Sequence, residues 1–274
     1  MKKVGFIGVG NMGSALLRGM LADGALLPEN ALTFDADAGK NARLAGELGV
    51  TAAAGAEALA RDADLIILAV KPDAAHGVLR GIRPALDGAK ILLSVVLGLD
   101  IRSIGETTGG RCRVVRCMPN TPALVGAGVM CLAFGDGFDA GETERVSGLF
   151  SSCGMAEVME ERHLERVTAL TGSSPAYVFI MLEAMADAAV RNGLPRAIAR
   201  RLAAQAVLGS AKMALETGTH PAELKDGVCS PGGSTIEAVR VLESRGFRSA
   251  LIEAMIVCDA KAGETGRFVP PPGP

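Results

Sequence analysis

The sequence predicts an α/β domain with a mostly parallel sheet, followed by an all-α domain, and three observations carry that prediction. Through about residue 162, short apolar runs alternate with helical stretches at the spacing of a doubly wound sheet. Beyond residue 163 the strand signals stop and apolar residues recur at helical spacing. Between the first apolar run and the first helix stands GVGNMG, with Gly8, Gly10 and Gly13 in a G-x-G-x-x-G pattern. The chain divides on this reading into 1–162, 163–268 and a tail, 269–274, for which disorder is expected.

Taken in order, KKVGFIG predicts the first strand and NMGSALLRGMLADG the first helix. ALTFD and AGKNARLAGELG repeat the pair, as do ADLIILAV and HGVLRGIRPAL, and KILLSVV and CRVVRCM add two more strands. GVMCLAF and AEVM predict further strands at a sheet edge. In the second half Tyr177, Met181, Ala184 and Ala188 mark one face of a helix that Gly193 and Pro195 stop. RAIARRLAAQAVLGSAKMALETG predicts a second long helix ending at Gly218, and STIEAVRVLESRG and RSALIEAMIVCDAKAGE predict two more. These helices carry more apolar stripe than a lone bundle of this size tolerates, which predicts at least an obligate dimer.

Bulk properties narrow the function classes. Hydrophobic residues make up 49% of the 274 and charged ones 21%, so core is ample. A formal net charge of −2 gives no basic field for nucleic acid, and RAIARR at 196–201 reads as a solvated helix face. Glu183 and Asp187 interrupt the most apolar stretch before it reaches a membrane-spanning length. Lys2-Lys3 run directly into VGFIGVG, which is not a signal peptide, so the cytoplasm is the expected location. The six cysteines form no CxxC pair and read as reduced, mostly buried thiols. The three histidines lie far apart in the sequence, and no metal site or Cys–His nucleophile is expected.

The glycine pattern at a strand–helix junction predicts a dinucleotide site of the Rossmann-like kind. Such glycines permit a tight turn, close approach of the backbone to a pyrophosphate, and tight helix–strand packing. Asp35 stands 22 residues after Gly13, where an acidic side chain would bond the adenosine ribose hydroxyls of NADH and repel the 2′-phosphate of NADPH. Asp37 is a second candidate, and Lys40 and Arg43 nearby would counter the repulsion. The cofactor is therefore NADPH or NADH, with Asp35 tipping the reading toward NADH.

A second glycine-rich helix start, CSPGGSTIEAV at 229–239, suits a carboxylate or phosphate because bare N–H groups at a helix N-terminus carry partial positive charge. Ser234 and Glu237 also fit capping-box spacing, which would make this simply a well-started helix.

GFIGVGNMGSAL, AVKP at 69–72, CMPNTPAL at 117–124, TGSSPAYVF at 171–179 and CSPGGSTIEAV, in this order and spacing, resemble the pyrroline-5-carboxylate reductases from residue 3 to about 262. The resemblance implies reduction of the cyclic imine of 1-pyrroline-5-carboxylate to L-proline by NADPH or NADH. It also implies a helical domain that dimerises by interleaving, dimers that assemble into a decamer, and a substrate lying between the nicotinamide end of the cleft and the adjacent subunit's helical domain. Carried over by position, Gly8, Gly10, Asn11, Met12 and Gly13 form the cofactor turn. Ala69, Val70, Lys71 and Pro72 lie under the ribose and nicotinamide, and Met118, Pro119, Asn120 and Thr121 line the nicotinamide pocket. Ser230, Gly232, Gly233, Ser234 and Thr235 match the substrate-carboxylate loop, with Thr235 as the catalytic hydroxyl near the imine nitrogen. Glu161 resembles a position near the substrate amine.

The sequence departs from the family pattern in three places. SVVLGL at 94–99 is bulkier than usual, so Val96 and Leu97 are expected to narrow the cofactor cleft; Thr171 replaces a serine; and Asp35 stands where small or basic residues are usual.

The chemistry agrees with this inventory. Reduction of a protonated imine requires a hydride donor, orientation and a polar contact near nitrogen, with no strong side-chain acid. Oxidation of a 3-hydroxyacid would require a general base; the 3-hydroxyacid dehydrogenases of similar two-domain plan resemble one another in carrying a lysine on the first long helix after the sheet domain, and the matching helix here, SPAYVFIMLEAMADAAV, has none. A non-catalytic dinucleotide sensor remains open on the sequence alone.

Overall fold

In a computed structural model, residues 2–265 are described and form two compact units. The first runs to Ser173 and takes in the end of the last helix from Cys258; the second is Ser174–Val257. The compact units divide at 173/174, eleven residues beyond the expected division at 162/163, while 163–173 stays with the sheet. Leu164 is fully buried beside Met118, Cys131 and Ala133, and Asn120 Nδ2 donates to the Thr171 carbonyl at 2.9 Å, which fastens the intervening segment to the sheet. The expected disordered tail, 269–274, lies outside the described residues.

The first unit holds an eight-stranded sheet among the described residues. Its strands are β1 Val4–Ile7, β2 Ala31–Phe34, β3 Thr51–Ala52, β4 Leu65–Leu68, β5 Ile91–Ser94, β6 Arg113–Met118, β7 Gly128–Phe134 and β8 Gly154–Val158, in the order β3-β2-β1-β4-β5-β6-β7-β8. All neighbours pair parallel except β6 and β7, which run antiparallel. Residue alternation sorts the strand side chains to two faces. Phe6, Leu65, Ile67, Leu93 and Val115 join a core with Leu16, Leu17 and Met20 of α1 (Asn11–Ala22) and Phe150 of α6 (Ala140–Ser151). Ile7, Ile66, Leu68, Leu92 and Val114 join another with Leu59 of α3 (Ala56–Asp62), Leu79 of α4 (Pro72–Ile82) and Ile104 of α5 (Ile101–Thr108).

The helix α2 (Ala38–Leu48) starts on Asp37, whose side chain accepts the Lys40 N–H, and stops at Gly49 in the left-handed region. Glu161–Leu164 forms the single turn α7, and a π-helical turn at Thr168–Gly172 precedes the second unit. All six cysteines are free, and burial pushes the Cys117, Cys131 and Cys153 thiols above their ordinary range.

The second unit comprises α8 (Ser174–Arg191), α9 (Arg196–Thr217), α10 (Pro221–Val228), α11 (Ser234–Ser244) and α12 (Phe247–Thr265) as far as Val257. Helix α9 ends on Gly218 at φ 61°, as its sequence predicts. No helix among the described residues is long and apolar enough to cross a membrane.

Candidate active site

Parallel pairing sets Phe34, Ile7, Leu68, Ser94 and Arg116 side by side across the sheet. On β1, β2, β4 and β5 these are the last strand residues, so the residue after each opens on the carboxyl edge, where open α/β sheets bind ligands. Gly8, Asp35, Ala69 and the approach to Val96 all lie there, so the register gathers residues scattered over ninety positions of sequence.

The glycine turn is fixed from two sides. Gly8 donates its N–H to the Phe34 carbonyl at 2.7 Å and sits at φ 94°, a conformation that an L side chain rarely adopts. A Cβ there would stand 2.5 Å from the Ala69 carbonyl oxygen, and one on Gly13 would overlap the Gly8 carbonyl. Gly10 is the N-cap of α1, and among the described residues no side chain caps it; Asn11 is exposed and Met12 packs on the core. An open helix N-terminus behind a bare backbone turn is the cradle that a pyrophosphate requires, so these residues fit a dinucleotide.

Asp35 is engaged locally. Its Oδ2 accepts the Val9 N–H at 2.8 Å, its Oδ1 accepts the Asp37 N–H at 3.0 Å, and Lys40 Nζ stands 3.7 Å from Oδ2. Burial would raise this carboxyl, but the two backbone donors and the Lys40 ammonium outweigh it and hold the group below the usual carboxylate range. Ala69 and Val70 are half-buried after β4, exposed Lys71 is the N-cap of α4, and exposed Pro72 is its first residue. The Val96 side chain is 4% exposed and packs in the core beneath the edge, while half-buried Leu97 packs toward Met118 and Leu164.

Pro119 is buried, and the Asn120 side chain is occupied at both ends: Nδ2 on the Thr171 carbonyl, Oδ1 accepting the Val129 N–H at 2.8 Å. Asn120 thus clamps the MPNTPA loop to β7 and to the π-helical turn. Glu161 has a similar structural duty. Its Oε1 accepts from the Ile101 N–H at 2.8 Å and from Arg116 Nη1 at 3.0 Å, while Arg116 also reaches Glu165 at 3.3 Å. Arg116 is buried, and the Glu161 carboxylate balances that cation.

In the helical unit, Ser230-Pro231-Gly232-Gly233 makes a turn closed by the Gly233 N–H on the Ser230 carbonyl at 3.0 Å, with Gly232 at φ 70°. Proline then glycine at the two central positions, with that φ, is the signature of a type II turn. The Ser230 hydroxyl folds over the Gly233 Cα, where a Cβ would overlap it. The capping box that the Ser234–Glu237 spacing would allow is absent among the described residues. Gly233 is the N-cap of α11, Ser234 is the first helical residue, and Glu237 pairs with Arg240 at 3.0 Å. The first N–H groups of α11 are left bare beside the exposed Ser234 and half-buried Thr235 hydroxyls.

Comparison with known proteins covers both turns. A model of the pyrroline-5-carboxylate reductase dimerisation domain matches residues 161–265, and a model of the coenzyme F420-dependent NADP oxidoreductases matches residues 3–98. The pyrroline-5-carboxylate reductase of Escherichia coli K12 is 48% identical over 261 residues, covering 95% of this chain and 97% of its own. The chain belongs to the pyrroline-5-carboxylate reductase family. A pyrroline-5-carboxylate reductase structure from Coxiella burnetii superposes with TM-score 0.90 at 32% identity, covering 97% of this chain and 99% of its own. The NADP-bound pyrroline carboxylate reductase of Plasmodium falciparum gives 0.85 at 33%, covering 96% and 98%.

Against that family background, the clamp by Asn120, the buried Arg116 and the Val9–Asp35 bond are features that sequence reading missed. Only Arg116, a cation inside the apolar run CRVVRCM, carried a visible signal.

Proposed function

We propose that the chain reduces 1-pyrroline-5-carboxylate to L-proline with a hydride from NADPH or NADH. The observation that carries this reading is the span of the family match: the glycine turn lies within the 3–98 match and the SPGGST turn within 161–265. The cofactor supplies hydride to the imine carbon. Gly8, Gly10, Gly13 and the start of α1, with the exposed Asn11 and the backbone at Met12, would hold its pyrophosphate. Ala69 to Pro72 and the loop around Pro119 and Asn120 would border its nicotinamide half. We assign the substrate carboxylate to the bare N–H groups of α11 with Ser230, Gly232, Gly233 and Ser234, and to Thr235 the orientation of the imine nitrogen. The imine takes its proton before the hydride arrives, so the residues assigned here need only bind and align.

We extend the self-association implied by the dimerisation-domain match to a decamer built from five dimers. We place the enzyme in the cytoplasm, a reducing compartment that suits six free thiols. The test is the loss of NADPH absorbance, and separately of NADH absorbance, on adding 1-pyrroline-5-carboxylate, with proline measured as product. Folded protein that binds either cofactor and turns over neither would leave a dinucleotide sensor as the better reading.

A further inference from the structure

The carboxylate of Asp35 and the ammonium of Lys40 meet at the rim of the glycine turn, and their partners assign them different work. Val9 lies between Gly8 and Gly10, and its N–H points at Asp35 Oδ2 at 2.8 Å. The Gly8 N–H is already on the Phe34 carbonyl, so two successive amides of the turn are tied to the end of β2 and the residue after it. Asp35 Oδ1 meanwhile accepts the Asp37 N–H, which sets the start of α2 and so places Lys40. Lys40 Nζ stands 3.9 Å from where a Cβ of Gly10 would be, over the turn itself.

We propose that Asp35 is a positioning residue for the glycine turn rather than a direct ribose ligand, and that Lys40 is the cation that meets a 2′-phosphate. A carboxylate that accepts two backbone N–H groups and faces an ammonium repels a second anion far less than a free one. A lysine in that place adds a counter-charge only when the cofactor carries the extra phosphate. The pair thereby admits NADPH without excluding NADH, although an acidic residue follows β2. This inference rests on the dinucleotide reading above.

The test is fluorescence titration of NADH and NADPH against the parent and three variants, with thermal unfolding of the ligand-free proteins. Asp35→Ala is expected to weaken both cofactors by a similar factor, about tenfold, and to lower the unfolding temperature. Asp35→Asn keeps an acceptor oxygen for Val9, so both affinities should return to within about threefold of the parent. Lys40→Ala should weaken NADPH about tenfold and leave NADH within about twofold. Loss confined to NADH in both Asp35 variants would make Asp35 a ribose ligand and overturn the proposal, as would equal losses of both cofactors in Lys40→Ala. Failure of the parent to bind either cofactor would instead refute the dinucleotide reading itself.

Discussion

The sheet unit and the helical unit solve the problem of burial in opposite ways. In the first, both faces of the sheet are covered, and Phe6, Leu16, Leu65, Ile66, Ile67, Leu68 and Phe150 have essentially no solvent exposure. In the second, the buried hydrophobics among the described residues are Ala186, Ala199 and Ala203, three of the smallest side chains. Its large apolar residues lie on the outside instead, with Phe179, Ile180, Leu208, Leu215, Ile252, Ile256 and Val257 all exposed. Monomeric surfaces rarely tolerate contiguous apolar area on that scale. One unit carries its own core, and the other leaves its large apolar residues outside, which fits the dimerisation-domain match over 161–265. The two turns follow the same division: backbone packing fixes the glycine turn, whereas one hydrogen bond closes the SPGGST turn, which stands open.

The largest expected effect strikes the helical unit. Ile252→Glu with Ile256→Glu places two charges one turn apart on α12, at positions 58% and 61% exposed in the single chain. Sedimentation should show complete conversion to monomer with turnover abolished, while NADPH affinity stays within about twofold because the sheet unit is self-contained. A variant that remains dimeric would break the comparison. Next in size is Gly13→Ala, where the added Cβ would overlap the Gly8 carbonyl and stand 3.2 Å from the Ala69 Cβ. Overpacking of this kind costs about 1–3 kcal/mol, to be read by urea unfolding, and cofactor affinity should fall by more than about tenfold. An unaltered affinity would show that the turn is less rigid than its packing implies.

How much of this was legible in the sequence depended on whether a signal was local. Strands β1, β2, β4, β5 and β6 announced themselves as apolar runs, and the long helices α8 and α9 by period and by their Gly193, Pro195 and Gly218 stops. Short helices escaped because their signal lies in a cap rather than in a stripe. Helix α5 starts on Asp100, which accepts the Ser103 N–H, and α6 has a full Asp139–Glu142 capping box, a D-x-x-E pattern that was readable and overlooked. The box that the Ser234–Glu237 spacing would also allow does not form, because Gly233 takes the N-cap position. At the site, residue identities were legible but their partners were not. Asp35, Asn120 and Glu161 bond to Val9, Thr171 and Ile101, up to 60 residues away, and no periodicity encodes such pairings.

Thr235→Ala sharpens the comparison at the open turn. The side chain is half-buried at the start of α11, and the helix needs no cap from it. Turnover should fall about 10- to 100-fold through lost orientation, with NADPH affinity and unfolding midpoint unchanged within error. Unaltered kinetics would remove Thr235 from the mechanism, and a parallel loss of stability would make it a structural residue.

The smallest effect is a dependence on acid that belongs to the sheet unit. Burial alone would raise Asp35, Asp64 and Asp100, but for each the contacts that favour the carboxylate together outweigh burial and hold it below the usual range. For Asp64 these are the Lys2 and Lys3 N–H groups with the Lys90 charge; for Asp100 they are Ser103 with the Arg116 and Arg102 charges. A carboxylate depressed in the folded state adds stability that is fully present above its unfolded value, near about 3.9, and is lost as pH falls through the folded one. Urea midpoints should therefore drop between about pH 5 and pH 3. Asp64→Asn removes one of these titrations without touching either turn, so its midpoint should be lower at pH 6 and converge on the parent's near pH 3. Tyr177, the only tyrosine in a chain without tryptophan, reports from the helical unit. Its fluorescence should hold at pH values where the sheet unit has already loosened. Loss of the tyrosine signal first, or parallel pH curves for parent and Asp64→Asn, would mean that acid sensitivity is shared between the units and does not follow the difference in burial between them.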